Sequence, residues 1–269
     1  PNWESHTMKK VLVISGSDSS GCSGIQRDLR TITALDSHPF CVVSAITTQT
    51  TSKVLDVSEI CPDLVRLQIR TGLESGAEAV KIGVLPSMAL VAIVAKELSS
   101  TQLPVVIDPV IQSSSGYIFS DSDTLSALKN LLLPLATVLT PNLKEASELS
   151  GVLSEQKSFL ETAGQSLLDL GPQSVLITGG HSPDSTNCTD FFFDRRGLTT
   201  ISGPRVPTSY NRGTGCTLSS AIATFLARGE TALHACRKAK IFVQLCLERA
   251  YPVDSESGTL GSGYRRDEG

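Results

Sequence analysis

The sequence predicts an α/β fold, with a central, mostly parallel sheet covered by helices on both faces. Three observations carry that expectation. Short apolar runs recur along the chain, helix-like segments fall between them, and each run ends in a polar or glycine-rich turn. Parallel neighbours need crossover connections, and these lay helices over both sides of the sheet.

The elements follow in order. VLVIS (11–15) reads as a buried strand, with a helix-like segment at 22–35. CVVSAI (41–46) precedes a helix at 62–75, AVKIG (79–83) a helix at 87–99, and VVID (105–108) a helix at 122–132. TVLT (137–140) leads into helices at 143–150 and 155–170, and SVLIT (174–178) ends the alternation. TDFFFD (189–194) and LTTIS (198–202) flank Arg195-Arg196-Gly197 and predict a hairpin at a sheet edge. Helices at 214–228 and 231–250 close the fold.

With 269 residues, 40% hydrophobic and 19% charged, the chain suits one large domain, placed at 8–253. Residues 1–7 are expected to be an appended remnant ahead of Met8. The polar, Gly/Ser-rich stretch 254–269 is expected to be disordered. A net charge of −4 argues against a nucleic-acid partner, so any phosphate site must be local. Seven scattered cysteines without a CxxC read as reduced thiols of a cytoplasmic protein. No apolar run approaches the roughly 20 residues of a membrane span.

Ligands of open α/β sheets collect at the carboxyl ends of the strands. Here those ends carry Gly16 to Gly21, Thr47 to Thr51, Gly83, Asp108-Pro109, Thr140-Pro141-Asn142 and Thr178-Gly179-Gly180-His181. The segment YNRGTGCTLSSAIATFLARG (210–229) adds a glycine-rich mouth to a helix whose apolar face is Leu218, Ala221, Ile222, Phe225 and Leu226. Unpaired amides and a positive dipole end make such a mouth an anion site. The bland alternative is a loop with Cys216 as a small buried residue.

Other motifs are absent. GSDSSGCSG (16–24) lacks the GK[ST] of a P-loop and is no clean GxGxxG. There is no GxSxG elbow and no HExxH, and four histidines, of which only His181 follows a strand, argue against a His-dependent triad.

GSDSSGCSGIQRDL, AITTQTT, VKIGVL, VIDPV, LTPNLKEA and RGTGCTLSSAIA occur in this order from about Val11 to about Ala250. Together they resemble the hydroxymethylpyrimidine (phosphate) kinases of thiamine biosynthesis, a branch of the ribokinase-like superfamily. The resemblance implies a three-layer α/β/α domain that transfers the ATP γ-phosphoryl group to a hydroxymethyl aminopyrimidine and then to its monophosphate. It implies that Gly213, Thr214, Gly215 and Cys216 form the anion hole, with Cys216 as base. Asp28 and Gln49 match positions that hold the pyrimidine. Gly16, Val84 and Val110 match other pocket positions, Val84 standing where relatives often carry methionine. Asp108 and Glu145 match positions near Mg²⁺, and Asn142, Thr178, Gly180 and Arg212 fall to the nucleotide. Relatives are commonly homodimers.

Physical chemistry agrees with those roles. Phosphoryl transfer needs positioning and charge neutralisation above covalent chemistry. A helix N-terminus is expected to lower the Cys216 pKa. Competing roles are simpler: Asn142 and Glu145 also form a capping box, Asp108 ends a strand before Pro109, Gln49 is a loop residue, and Asp28 lies on a solvated helix face. Three departures stand out. Thr178 replaces a lysine frequent in relatives, Ser113-Ser114-Ser115-Gly116 lacks another, and Asn211-Arg212 replaces Thr-His, with Arg212 as the expected substitute cation. Pyridoxal kinase and a non-catalytic pyrimidine- or nucleotide-binding protein are the rival readings.

Overall fold

The computed structural model describes residues 8–113, 115–154, 158–180, 186–255 and 257–262. The expected remnant at 1–7, Ser114, His181 and the last seven residues of the expected tail lie outside them.

Nine strands form one sheet: β1 (Lys9–Asp18), β2 (Ser37–Gln49), β3 (Val54–Glu59), β4 (Ala79–Ile82), β5 (Val105–Ile107), β6 (Val138–Leu139), β7 (Val175–Ile177), β8 (Asn187–Asp194) and β9 (Gly197–Pro204). Their order is β3-β2-β1-β4-β5-β6-β7-β8-β9. The six from β2 to β7 in that order are parallel, and β3, β8 and β9 are antiparallel additions at the two edges. The helices are α1 (Gly24–Ala34), α2 (Pro62–Glu74), α3 (Met88–Leu98), α4 (Ser122–Ala127), α5 (Leu143–Ser150), α6 (Phe159–Asp169), α7 (Thr214–Ala227) and α8 (Ala232–Leu247).

Side chains alternate across a strand, so each central strand feeds two cores. Leu12, Ile14, Val80, Ile82 and Ile107 pack on one face with Val65 and Ile69 of α2, Leu90 and Val94 of α3, Ala146 of α5 and Leu167 of α6. Val11, Val13, Ala79, Val106 and Leu176 pack on the other with Ile32 of α1, Leu218 and Ile222 of α7, and Phe242 of α8. That is why these strands read as continuous apolar runs. The result is the three-layer α/β/α arrangement with a mostly parallel sheet.

Three features differ from expectation. The strand β3 was unforeseen, because VLDVSE exposes most of its length and only Val54 is buried. The segment 122–132 is α-helical only to Ala127 and continues as a π turn (Leu128–Leu132) and a 3-10 turn (Leu133–Leu135). Pro134 lacks an amide and cannot extend an α-helix. The polar stretch after residue 253 is not disordered where it is described. Gly258–Thr259 (β11) pairs with Tyr251–Pro252 (β10), and Leu260 is fully buried. The cause is Arg27 of α1, itself buried. Its guanidinium donates to the carbonyls of Leu260 (2.7 Å) and Gly261 (3.0 Å), and its Nε to Thr217 Oγ1 (2.7 Å). A buried guanidinium needs acceptors, and the tail supplies them.

The chain reverses its direction of travel across the sheet at β1, whose neighbours are β2 and β4. This switch point opens a crevice at the carboxyl ends of the strands.

Candidate active site

A cavity of about 410 Å³ opens over those strand ends. Gly16, Gln49, Val84, Asp108, Val110, Asn142, Glu145, Thr178, Gly180, Arg212, Gly213, Thr214, Gly215 and Cys216 all line it. Residues separated by up to 200 positions thus meet because six strands end on one rim.

The mouth of α7 is shaped by Gly213, its N-cap, at φ 85°. Only glycine takes that conformation without strain, and a Cβ there would stand 2.3 Å from the Cys22 carbonyl oxygen. No side chain caps the helix. Thr214 turns its amide (3.3 Å) and hydroxyl (2.6 Å) to the Asn211 carbonyl, so of its first turn Gly215 and Cys216 are the residues whose amides are left for a ligand. Beside them, Arg212 lines the cavity with its Nε buried and unpartnered. An orphaned guanidinium N–H next to a helix N-terminus is a complement to phosphate oxygens.

Two carboxylates face this anion site. Asp108 follows β5 and accepts from Ser219 Oγ of α7 at 3.1 Å. Glu145 completes the capping box of α5: Asn142 N donates to its Oε2 at 2.9 Å, and Glu145 N donates to Asn142 Oδ1 at 3.0 Å. Burial, then the neighbouring Asp108 charge, pushes the Glu145 pKa up to about 8. Burial likewise raises Asp108, against the pull of Lys81. Such crowded, desolvated acids gain from a cation, and two carboxylates are what Mg²⁺ takes when phosphates and waters fill its remaining positions.

Asp28 is a correction. It does not line the cavity; it is fully buried under α7, where Lys81 Nζ donates to both its oxygens at 2.9 Å and Ser220 Oγ donates at 2.8 Å. Lys81, on β4, is itself fully buried, and β4 packs against α7. Burial works against the ammonium, but the Asp28 carboxylate it touches, with Asp108 nearby, outweighs it and holds Lys81 charged. The apolar surroundings of VKIG hid this cation from a reading of periodicity.

Cys216 is a second correction. Its pKa is pushed up to about 12, not lowered. Burial dominates, the Asp28 and Asp108 charges add to it, and Lys81 with the Gly24 amide only partly offsets them. In the free protein the group is a thiol.

Several site groups were not anticipated. Asp18 lines the cavity and organises the loop after β1, accepting from the amides and hydroxyls of Ser20 and Ser23, all at 2.7 Å. Burial opposes its charge, yet these donors hold its pKa below the usual value. At the far end the lining includes Asp190, Arg205, Lys240 and Gln244, with Val206, Val243 and Leu247. An Asp followed by three serines within five residues is a loop signal that was available; the distal group has no local signature.

Comparison with known proteins identifies the family. The profile of the phosphomethylpyrimidine kinase family matches residues 18–261. A hydroxymethylpyrimidine/phosphomethylpyrimidine kinase of Streptomyces coelicolor is 38% identical over 255 residues, covering 94% of this chain and 94% of that protein. A chloroplastic thiamine biosynthetic bifunctional enzyme of Arabidopsis thaliana is 36% identical over 274 residues, 97% of this chain and 52% of that protein, so the chain spans about half its length. The structure of the pyridoxal kinase from Staphylococcus aureus in complex with AMP-PCP superposes with a TM-score of 0.87 at 31% identity, covering 97% of this chain and 96% of that one. Fold and cavity therefore define a kinase of the ribokinase-like α/β class. Within it, this chain belongs to the phosphomethylpyrimidine kinase family.

Proposed function

We propose that the protein phosphorylates 4-amino-5-hydroxymethyl-2-methylpyrimidine and its monophosphate with ATP and Mg²⁺. The observation that carries this reading is the open helix mouth at Gly213 to Cys216, which shares one cavity with Arg212, Asp108 and Glu145. The names of its relatives point the same way.

The roles follow from the chemistry. The amides of Gly215 and Cys216 and the Arg212 guanidinium receive phosphate oxygens as charge builds on the transferred group. Asn142, Thr178 and Gly180 border the nucleotide. Gln49, with Gly16, Val84 and Val110, holds the pyrimidine; Asp28 has no part in that contact. Asp108 and Glu145 would hold Mg²⁺, which neutralises phosphate charge when bound. Cys216, at the same helix mouth, takes the proton of the acceptor hydroxyl. Because the free thiol is protonated, that role requires the thiol to ionise in the ternary complex, with Lys81 as the buried counter-charge.

A homodimer is part of this proposal, supported by the exposed apolar side chains Ile46, Leu55, Leu64 and Leu67 on β2, β3 and α2. All seven cysteines are unpaired, which supports a reducing, cytoplasmic setting. Among the described residues no helix is long and apolar enough to cross a membrane.

The test is ADP release from ATP and Mg²⁺ with the pyrimidine alcohol, its monophosphate and pyridoxal in turn. The proposal expects turnover of both pyrimidines. Much faster turnover of pyridoxal would transfer the assignment to pyridoxal kinase, the reading favoured by the Staphylococcus aureus neighbour. Ligand-induced melting shifts without ADP would make the protein a binder.

A further inference from the structure

The turn after β7 brings Thr178 and Gly180 to the cavity wall and is held by charges from two other elements. Asp190 of β8 is 5% exposed, and its Oδ1 accepts from Gly179 N at 3.0 Å. Its Oδ2 accepts from Lys240 Nζ of α8 at 2.7 Å. Arg205, just past β9, donates to the Gly180 carbonyl at 2.9 Å. Gly179 lies so close to β8 that a Cβ would stand 1.9 Å from the Thr189 carbonyl oxygen. Asp190, Arg205 and the close approach of Gly179 to β8 together hold residues 178–180 against the sheet.

This arrangement carries a cost. Asp190 lines the far end of the cavity beside the turn at 178–180, so its carboxylate sits on the wall read here as bordering the nucleotide. A bare anion in that low-dielectric wall would repel a nucleotide. Lys240 also lines the cavity, and its side chain is only 12% exposed in the pair. We infer that Asp190 and Lys240 act as a positioning and masking pair for the nucleotide. Asp190 fixes the Gly179 amide, and Lys240 cancels the charge that this fixing brings into the cavity. The inference rests on the kinase reading only in taking ATP as the ligand.

The alternative is that Lys240 grips phosphate directly. The two differ in a double variant. Calorimetric titration with ATP and ADP compares the parent protein, Lys240→Met, Asp190→Asn and Lys240→Met/Asp190→Asn, at low and high salt. Asparagine keeps an oxygen for Gly179 N but no charge. Masking predicts that Lys240→Met weakens ATP binding on the order of tenfold, weakens ADP less, and recovers at high salt. It predicts that the double variant regains most of the parent affinity, and that Asp190→Asn alone binds ATP at least as tightly as the parent. Thermal melting identifies any variant that has lost its fold, and the Asp190→Asn result then stands alone as the test. Unchanged ATP affinity in Lys240→Met, a double variant as weak as Lys240→Met, or an Asp190→Asn protein weaker than the parent overturns the inference. A parent protein that binds ATP with this pattern yet phosphorylates neither pyrimidine would sink the pyrimidine-kinase reading and leave the pair intact. A parent that binds neither nucleotide overturns both.

Discussion

Replacing Lys81 by methionine should destabilise the protein severely without touching the cavity wall. Lys81 and Asp28 are both fully buried, and each Nζ···Oδ distance is 2.9 Å. Methionine keeps most of the volume and removes the charge. Asp28 then keeps Ser220 as its hydrogen-bond donor but loses its counter-charge, and must either stay ionised in the interior or take up a proton, each at a cost in stability. Breaking one side of such a pair costs about 3–5 kcal/mol, because the remaining charge is desolvated and uncompensated. Against a total stability of about 5–15 kcal/mol, that is a large share. At roughly 2–4 °C per kcal/mol for a chain of this size, the melting temperature should fall by about 6–20 °C. Urea unfolding at pH 7 measures the change from the midpoint at unchanged slope. A second variant, Lys81→Met/Asp28→Leu, removes both charges and should recover most of the loss. A loss under about 1 kcal/mol for Lys81→Met, the worth of a surface pair, would show that the pair is not a buried ionised one.

Three further outcomes are expected. Cys216→Ala should lower kcat by about 10²–10⁴-fold and leave the pyrimidine dissociation constant within about twofold; equal turnover would remove the thiol from proton transfer. Gly213→Ala, with φ at 85° and the Cys22 carbonyl in the way, should impair ATP turnover far more than folding, and an unaltered kcat/KM would mean that this glycine does not shape the anion site. Stability should fall as pH rises above about 9. Burial raises the folded-state pKa values of Cys216 to about 12 and Cys246 to about 11, and raises Cys236 as well, from an ordinary 9.0. Between the two values the unfolded chain has lost protons that the folded chain keeps, so each group removes about 1.4 kcal/mol per pH unit. Cys236→Ala should flatten that decline in chemical denaturation at pH 8 to 10, and an identical slope would count against its burial as the cause.

The sequence by itself determined the alternation of strands and helices, the glycine-rich mouth of α7 and the capping box of α5. Each is encoded over a few residues: apolar period, a φ that only glycine tolerates, a side chain reaching back three positions. It also placed fourteen of the fifteen predicted site residues on one rim, because parallel strands bring their carboxyl ends together. Only the tertiary structure decided where charges are spent. Asp28 meets Lys81 across 53 positions, and Arg27 meets the tail across 233, so a carboxylate expected at the ligand went into the core and a polar tail became ordered. The Cys216 pKa moved opposite to the expectation for the same reason. A helix dipole is a local property, while desolvation and the fields of Asp28 and Asp108 exist only once β4, α1, β5 and α7 are packed together.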